Sequence, residues 1–325
     1  MKVLRLANPV TGQRLIEASV QKPHPGRGEL LIRVCAAGVT PTELIWYPTS
    51  HNKAGEKRIG AVPGHEFSGV VAEAGPDSGK NANDSQVGDE VFGMNDWFSE
   101  GATAEYCVAA YSAVAPKPHS LTHAEAASVP ISALTARQGL FDRAKLQAGE
   151  RVLVHGGAGA VGIFAVQLAK LHGARVIATA SGRDRDFVAS LGAERIIDYR
   201  GSRFEDEVGE LDVVFDTVGG ETLGRSWSLL QPLGRMVTIA ASEETATDDR
   251  SKKAYFIVEP NQKQLAEIGR LLDKRQLRAF VAATVPLSQA EEAYSGKVQK
   301  SGAGKVVVII ADESPNKSRP AKLLL

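Results

Sequence analysis

The sequence predicts an α/β fold, a doubly wound parallel sheet joined to a second, β-rich unit. Three observations carry that prediction. From about residue 121, strand-like and helix-like segments alternate. A glycine cluster, Gly156-Gly157-Ala158-Gly159-Ala160-Val161-Gly162, stands between the first strand and the first long helix of that alternation. The first 120 or so residues instead read as short apolar runs punctuated by Gly and Pro. At roughly 100–200 residues per domain, the length of 325 predicts two domains.

In chain order, 30–36, 66–73, 90–92 and 103–108 are strand-length runs, and the polar, Gly-containing stretches 75–88 and 93–101 predict surface loops. Helix formers follow possible caps at 122–128, and 131–144 has helical spacing. A strand at 151–155 leads into the glycine cluster and a helix at 161–171. After it, 174–179, 184–191, 195–198, 211–216, 221–230 and 235–240 alternate strand with helix. Near-continuous apolar strands in such an alternation indicate a parallel sheet covered on both faces, which assigns 121–260 to one domain. The remainder offers helices at 262–272 and 289–294 and an apolar strand at 306–310. It is too short for a core of its own, so it is expected to return to the first domain. The tail 312–325, polar with Pro315 and Pro320, predicts disorder.

Thirty-eight basic residues balance thirty-eight acidic ones, with no long block of either sign. This charge gives no footprint for nucleic acid or an anionic membrane, so the expected partner is a small molecule. Cys35 and Cys107 lie far apart without neighbouring cysteines and predict reduced thiols rather than a disulfide framework or a zinc cluster. No run reaches the roughly 20 apolar residues of a membrane span, and 1–12 lacks the pattern of a signal peptide. A cytoplasmic location is expected.

Gly157, Gly159 and Gly162 have GxGxxG spacing after a strand and into a helix. The first glycine permits the turn, the second lets a pyrophosphate approach the backbone, and the third lets helix and strand pack closely. The N–H groups at the helix start, from Ala160 and Val161 onward, then face the phosphates. The second strand ends in Ala180-Ser181-Gly182-Arg183, without an acid at its tip to hold a ribose 2′-OH. Ser181 and Arg183 suit a 2′-phosphate, which favours NADPH; alternatively Arg183 is the first solvated residue of the next helix.

A zinc alcohol dehydrogenase uses a stretch like Pro63-Gly64-His65-Glu66 together with cysteine ligands, but in Gly38-Val39-Thr40-Pro41-Thr42-Glu43 no cysteine stands where the upstream ligand would be. His65 and Glu66 are accordingly expected to be hydrogen-bonded structural residues beside the cleft. Alcohol oxidation needs help with the alkoxide. An acceptor that spreads its own negative charge, such as a quinone or an α,β-unsaturated carbonyl, needs far less. Ile45, Trp46 and Tyr47 are expected to line its pocket, with Tyr47 a weak proton donor, or else Trp46 and Tyr47 are packed loop aromatics. Trp97 is a candidate to close over the substrate.

Ordered motifs over about 1–310 resemble the zinc-free quinone oxidoreductase (ζ-crystallin-like) branch of the medium-chain dehydrogenase/reductase superfamily: Ala36-Ala37-Gly38-Val39-Thr40-Pro41, Pro63 to Gly69, Gly88-Asp89-Glu90-Val91-Phe92-Gly93, the glycine loop, and Asp212 to Gly220. The resemblance implies a GroES-like catalytic domain (1–120 and 261–311), a Rossmann NADPH-binding domain (121–260) and a homodimer. It also places Thr135, Val218, Gly219, Phe256 and Ile257 near the nicotinamide end, Tyr199 at the adenine end and Lys305 near the cofactor. Thr40 departs from the asparagine common there, while keeping a hydroxyl for the catalytic region. Alternatives are a zinc-free enoyl-thioester or alkenal reductase, or a non-catalytic NADPH-binding protein of crystallin-like or sensing role.

Overall fold

In the computed structural model, the described residues are 1–7, 15–77, 85–240 and 248–311. The expected disordered tail, and parts of the loop at 75–88 and of segment 1–12, lie outside them. The chain opens with an antiparallel pair, β1 (Lys2–Leu6) and β2 (Leu15–Ser19). There follow β3 (Glu29–Gly38), β4 (Glu66–Ala74), β5 (Glu90–Met94), β6 (Tyr106–Ala110) and β7 (Val114–Pro116), with Leu30, Ile32, Val34, Phe67, Val71, Val91 and Val114 in their shared core.

The second sheet is wholly parallel. β8 (Arg151–Val154), β9 (Arg175–Ala180), β10 (Arg195–Asp198), β11 (Leu211–Asp216) and β12 (Leu230–Thr238) lie in the order β10-β9-β8-β11-β12. Their interiors are apolar because helices cover them: Ala160–Leu171 buries Gly162 through Ala169 and packs against Pro130–Arg137. The chain runs outward from β8 to β10, then crosses back to β11. The crevice at the carboxyl ends of β8 and β11 is therefore the topological switch point, where open α/β sheets bind ligands.

Three segments differ from expectation, the first being the strand expected at 103–108, which runs over Tyr106–Ala110. The helical run at 131–144 is an α-helix only over Pro130–Arg137 and widens to a π-helix over Gln138–Arg143. β12 begins at Leu230, not 235, and the helix before it ends at Ser226, followed by a 3₁₀ turn at Trp227–Leu229. Pro232 and Gly234 hide that early strand by propensity, and its pairing with β11 is irregular there.

After helix Gln262–Asp273, capped by the Asn261 side chain, the chain rejoins the first sheet as β13 (Val281–Pro286) and β14 (Lys305–Ile309). The strand order there is β13-β14-β3-β4-β5-β7, with β6 also paired to β3. β13 is unmarked by clean alternation and ends in proline, as an edge strand can.

Glu66 ties these parts together. Its fully buried carboxylate pairs with Lys305 at the start of β14 and accepts 2.9 Å from the Ile131 amide in the first turn of helix Pro130–Arg137. Burial pushes the Glu66 carboxyl up against the pull of Lys305. Gly38 makes room for it, since a Cβ there would stand 2.5 Å from Glu66 Oε1 and 2.6 Å from the Ala127 carbonyl.

Removing one member of a buried pair leaves the other uncompensated. Lys305→Ala is expected to cost roughly 3–5 kcal/mol in denaturant unfolding, and Lys305→Met with Glu66→Gln to recover most of it. Equal losses in the single and double variants would contradict the assignment.

Candidate active site

The glycine loop sits at the switch point as a backbone cradle. Gly157 N–H donates to the Thr179 carbonyl (2.8 Å) and Gly159 N–H to the Gly156 carbonyl (2.9 Å), which folds the turn under the helix. A Cβ on Gly162 would lie 2.1 Å from the Gly156 carbonyl oxygen, so the close approach of loop and helix depends on glycine there. Gly159 caps Ala160–Leu171 without a side-chain hydrogen bond. The first-turn N–H groups, those of Ala160, Val161 and Gly162, are thus left for an anion. A dinucleotide pyrophosphate fits this cradle.

Under the loop, His155 is fully buried, with Nε2 2.9 Å from Ser226 Oγ and Nδ1 3.2 Å from Thr179 Oγ1. Burial lowers its pKa from 6.5 to about 4, so the ring is neutral near pH 7. Across the crevice, Asp216 accepts from the Val218 and Gly219 amides (3.1 and 3.0 Å) and the Thr238 hydroxyl (2.7 Å). Asp216 shapes the turn that leaves Val218 54% exposed.

A cavity of about 640 Å³ opens beside the loop, with Tyr199, Arg200, Arg203, Phe204, Val218 and Arg225 in its wall. Beside it, the tip of β9 differs from the expected acid-free phosphate seat. Asp184 folds back to accept the Ser181 hydroxyl (2.5 Å), and the exposed Arg183 Nε lies 3.6 Å from the same carboxylate. The acid comes from the following turn, three residues past Ser181.

At the other end, Phe256-Ile257-Val258 is clamped from both units. Phe256 N–H donates to the Thr238 carbonyl (3.3 Å), Trp97 Nε1–H to the Val258 carbonyl (3.0 Å), and Gln138 exchanges hydrogen bonds with the Glu259 backbone (2.8 and 3.0 Å). Phe256 and Val258 are buried and Ile257 stands exposed between them. Thr135 is buried, its hydroxyl bound to the Ile131 carbonyl (2.6 Å), while the neighbouring buried Ser132 hydroxyl has no partner among the described residues.

In the first unit, Lys305 Nζ lies 3.4 Å from Thr40 Oγ1. His65 Nδ1 donates to the fully buried Glu43 at 2.6 Å, and Gly64 N–H donates to its second oxygen at 3.0 Å. Trp97 is buried against His65 (5.1 Å between ring centroids) and edge-on to Trp46 (4.9 Å), so its indole is packed in place. Ile45 and Tyr47 are exposed, and Tyr47 stacks on His51 at 4.5 Å. Cys35 and Cys107 are buried in the sheet; burial pushes the Cys107 thiol up to about 12. Among the described residues, no three or more His, Cys, Asp or Glu gather as a metal site.

Glu43, Gln138, His155 and the arginines at 200, 203 and 225 are missing from the sequence-derived site. Glu43 and Gln138 act across sequence separations of 22 and 121 residues, and no local pattern signals either. The run Tyr199-Arg200-Gly201-Ser202-Arg203 just past a predicted strand end is a local signal that could identify the arginines.

Comparison with known proteins agrees with this geometry. Residues 26–119 match an alcohol dehydrogenase GroES-like domain and 191–308 a zinc-binding dehydrogenase model. A probable zinc-binding oxidoreductase of Arthroderma benhamiae is 30% identical over 92% of this chain and 94% of its own. An NADPH-dependent alkenal/one oxidoreductase of Arabidopsis thaliana is 31% identical over 90% of this chain and 75% of its own. The solved quinone oxidoreductase of Coxiella burnetii superposes with a TM-score of 0.82 at 29% identity, covering 96% of this chain and 99% of that one.

Because His155 holds fewer protons folded than unfolded, the stability it contributes is complete above about pH 6.5 and declines as pH falls toward about 4. His155→Gln, which cannot charge, should flatten that part of the Tm profile; an unchanged slope would remove His155 as its source. Arg183→Glu should raise the KM for NADPH in steady-state assays, and an unchanged KM would take Arg183 out of the site.

Proposed function

The chain belongs to the zinc-independent, quinone-oxidoreductase-like members of the medium-chain dehydrogenase/reductase superfamily, and from that premise we propose that it reduces a quinone or an α,β-unsaturated carbonyl with NADPH. One observation carries the choice of acceptor, the donor set around His65. Its Nδ1 rests on Glu43, as a metal-bound imidazole's also can, but its Nε2 faces the Ser99 carbonyl at 3.3 Å, Thr40 stands where a cysteine ligand would be expected, and both cysteines are buried in the sheet. These residues do not fit a catalytic zinc. An acceptor reduced here has to spread the charge it receives over its own conjugated system.

NADPH, when bound, supplies the hydride. The chain's residues bind and orient. Ala160, Val161 and Gly162 present their N–H groups to the pyrophosphate; Ile257 and Val218, exposed in the crevice, offer apolar contact to the nicotinamide end. Thr40, held near Lys305, orients the acceptor oxygen by a hydrogen bond. Tyr47 Oη delivers a proton to the enolate or hydroquinone anion, a modest task that water can share because the ring is half exposed. Trp46 and Trp97 form an apolar wall suited to a flat, conjugated acceptor. The likeness to an alkenal/one oxidoreductase keeps enals in the same acceptor class.

The 121–260 unit is proposed as the cofactor domain, with 1–120 and 261–311 as the catalytic domain. β12 is the edge of its sheet and exposes Leu233, a seat for pairing with a second copy. A homodimer follows, and light scattering at twice the chain mass is the expected result.

Loss of NADPH absorbance should be fast with quinones, enals or enones, with no oxidation of simple alcohols by NADP⁺. Tight NADPH binding without turnover on any acceptor would favour a sensing role instead. Tyr47→Phe should lower kcat on an enone by roughly tenfold; full turnover would leave the phenol without a catalytic part.

A further inference from the structure

Three guanidinium groups line the cavity beside the glycine loop, and their partners differ. Arg225 is forked onto Glu205, at 2.5 Å through both Nε and Nη2, and its guanidinium lies over the Phe204 ring. Arg203 lies 3.8 Å from both Glu205 and Asp206. Arg200 has no carboxylate within ion-pair distance among the described residues; its guanidinium carbon stands 5.7 Å from the centre of the Tyr199 ring.

The position of Arg200 is fixed by the sheet. Asp198 at the end of β10 pairs in register with Ala180 at the end of β9, and Tyr199 N–H donates to the Ala180 carbonyl (3.3 Å). Asp198 then accepts the Arg200 amide at 3.0 Å, which turns the chain toward the cavity. Residues 199–200 thus flank the tip of the second parallel strand, where the ribose 2′ position of a dinucleotide lies. The tip itself is partly satisfied, with Ser181 bound to Asp184 and Arg183 beside the same carboxylate. Space between the two tips is closed as well, since a Cβ on Gly182 would be 2.5 Å from Asp198 Oδ2. The cavity side, walled by Arg200 and Ser202, is what remains for a dianion.

We propose that Arg200 is the principal residue that holds the 2′-phosphate of the cofactor and sets the choice of NADPH over NADH. A planar fork with no internal carboxylate partner can give two charge-assisted hydrogen bonds to phosphate, whereas Arg183 must first leave Asp184. The assignment rests on the NADPH reading above and adds the residue that enforces it.

Calorimetric titration with 2′,5′-ADP and with 5′-AMP tests it without any turnover. The unaltered protein is expected to bind 2′,5′-ADP more tightly than 5′-AMP. Arg200→Ala should weaken 2′,5′-ADP by roughly tenfold or more, as expected for loss of a charged fork, and leave 5′-AMP within about twofold. Arg200→Lys should retain part of the preference, and Arg183→Ala should weaken 2′,5′-ADP less than Arg200→Ala does. If Arg200→Ala keeps the preference, or Arg183→Ala loses more, the proposal alone is overturned. Equal binding of both nucleotides by the unaltered protein overturns the NADPH reading, and the role of Arg200 with it.

Discussion

The buried carboxylate of Glu66 is the interaction on which the arrangement of the site depends. It joins β4, the strand returning from the far end of the chain and the first turn of the helix that leads into the parallel sheet. A charge with no exposed surface is tolerated only when its hydrogen-bonding capacity is taken up, and Lys305 and the Ile131 amide do that. The same ammonium stands beside Thr40. The candidate acceptor site is thereby referenced to the helix that carries Thr135 and Ser132.

A second set of contacts works from the opposite side. Trp97 and Gln138 grip the backbone on either side of the Val258–Glu259 peptide, so the exposed Ile257 projects from a fixed segment rather than a free loop. His155 and Asp216, both fully buried, brace the floor of the crevice at the ends of β8 and β11. Rigid support beneath an open crevice suits a site that must hold two reactants in one geometry.

Much of this is legible in the sequence, for identifiable reasons. The parallel sheet is legible because buried strands are apolar throughout and because the glycine spacing is imposed by backbone clashes such as that at Gly162. The returning strand is legible from Val306 to Ile310. What escapes is whatever rests on distant pairs. β13 takes its strand form from pairing with β14, and Glu43 gains its role only when folding brings it to His65. At the β9 tip, counting to the strand's end misses Asp184, because a single turn carries the acid back to Ser181. In the structure Ser181 and Arg183 are both partly engaged by Asp184, and the next loop supplies the guanidinium without a carboxylate partner among the described residues.

The reaction proposed for this crevice is hydride delivery from NADPH to a conjugated acceptor. Turnover of an enone with NADPH deuterated at the transferring C4 position, read by NMR of the product, addresses it directly. Deuterium is expected at the β-carbon and a solvent-derived proton at the α-carbon. Product without deuterium at the β-carbon, or labelled NADPH that binds and is never consumed, would contradict it.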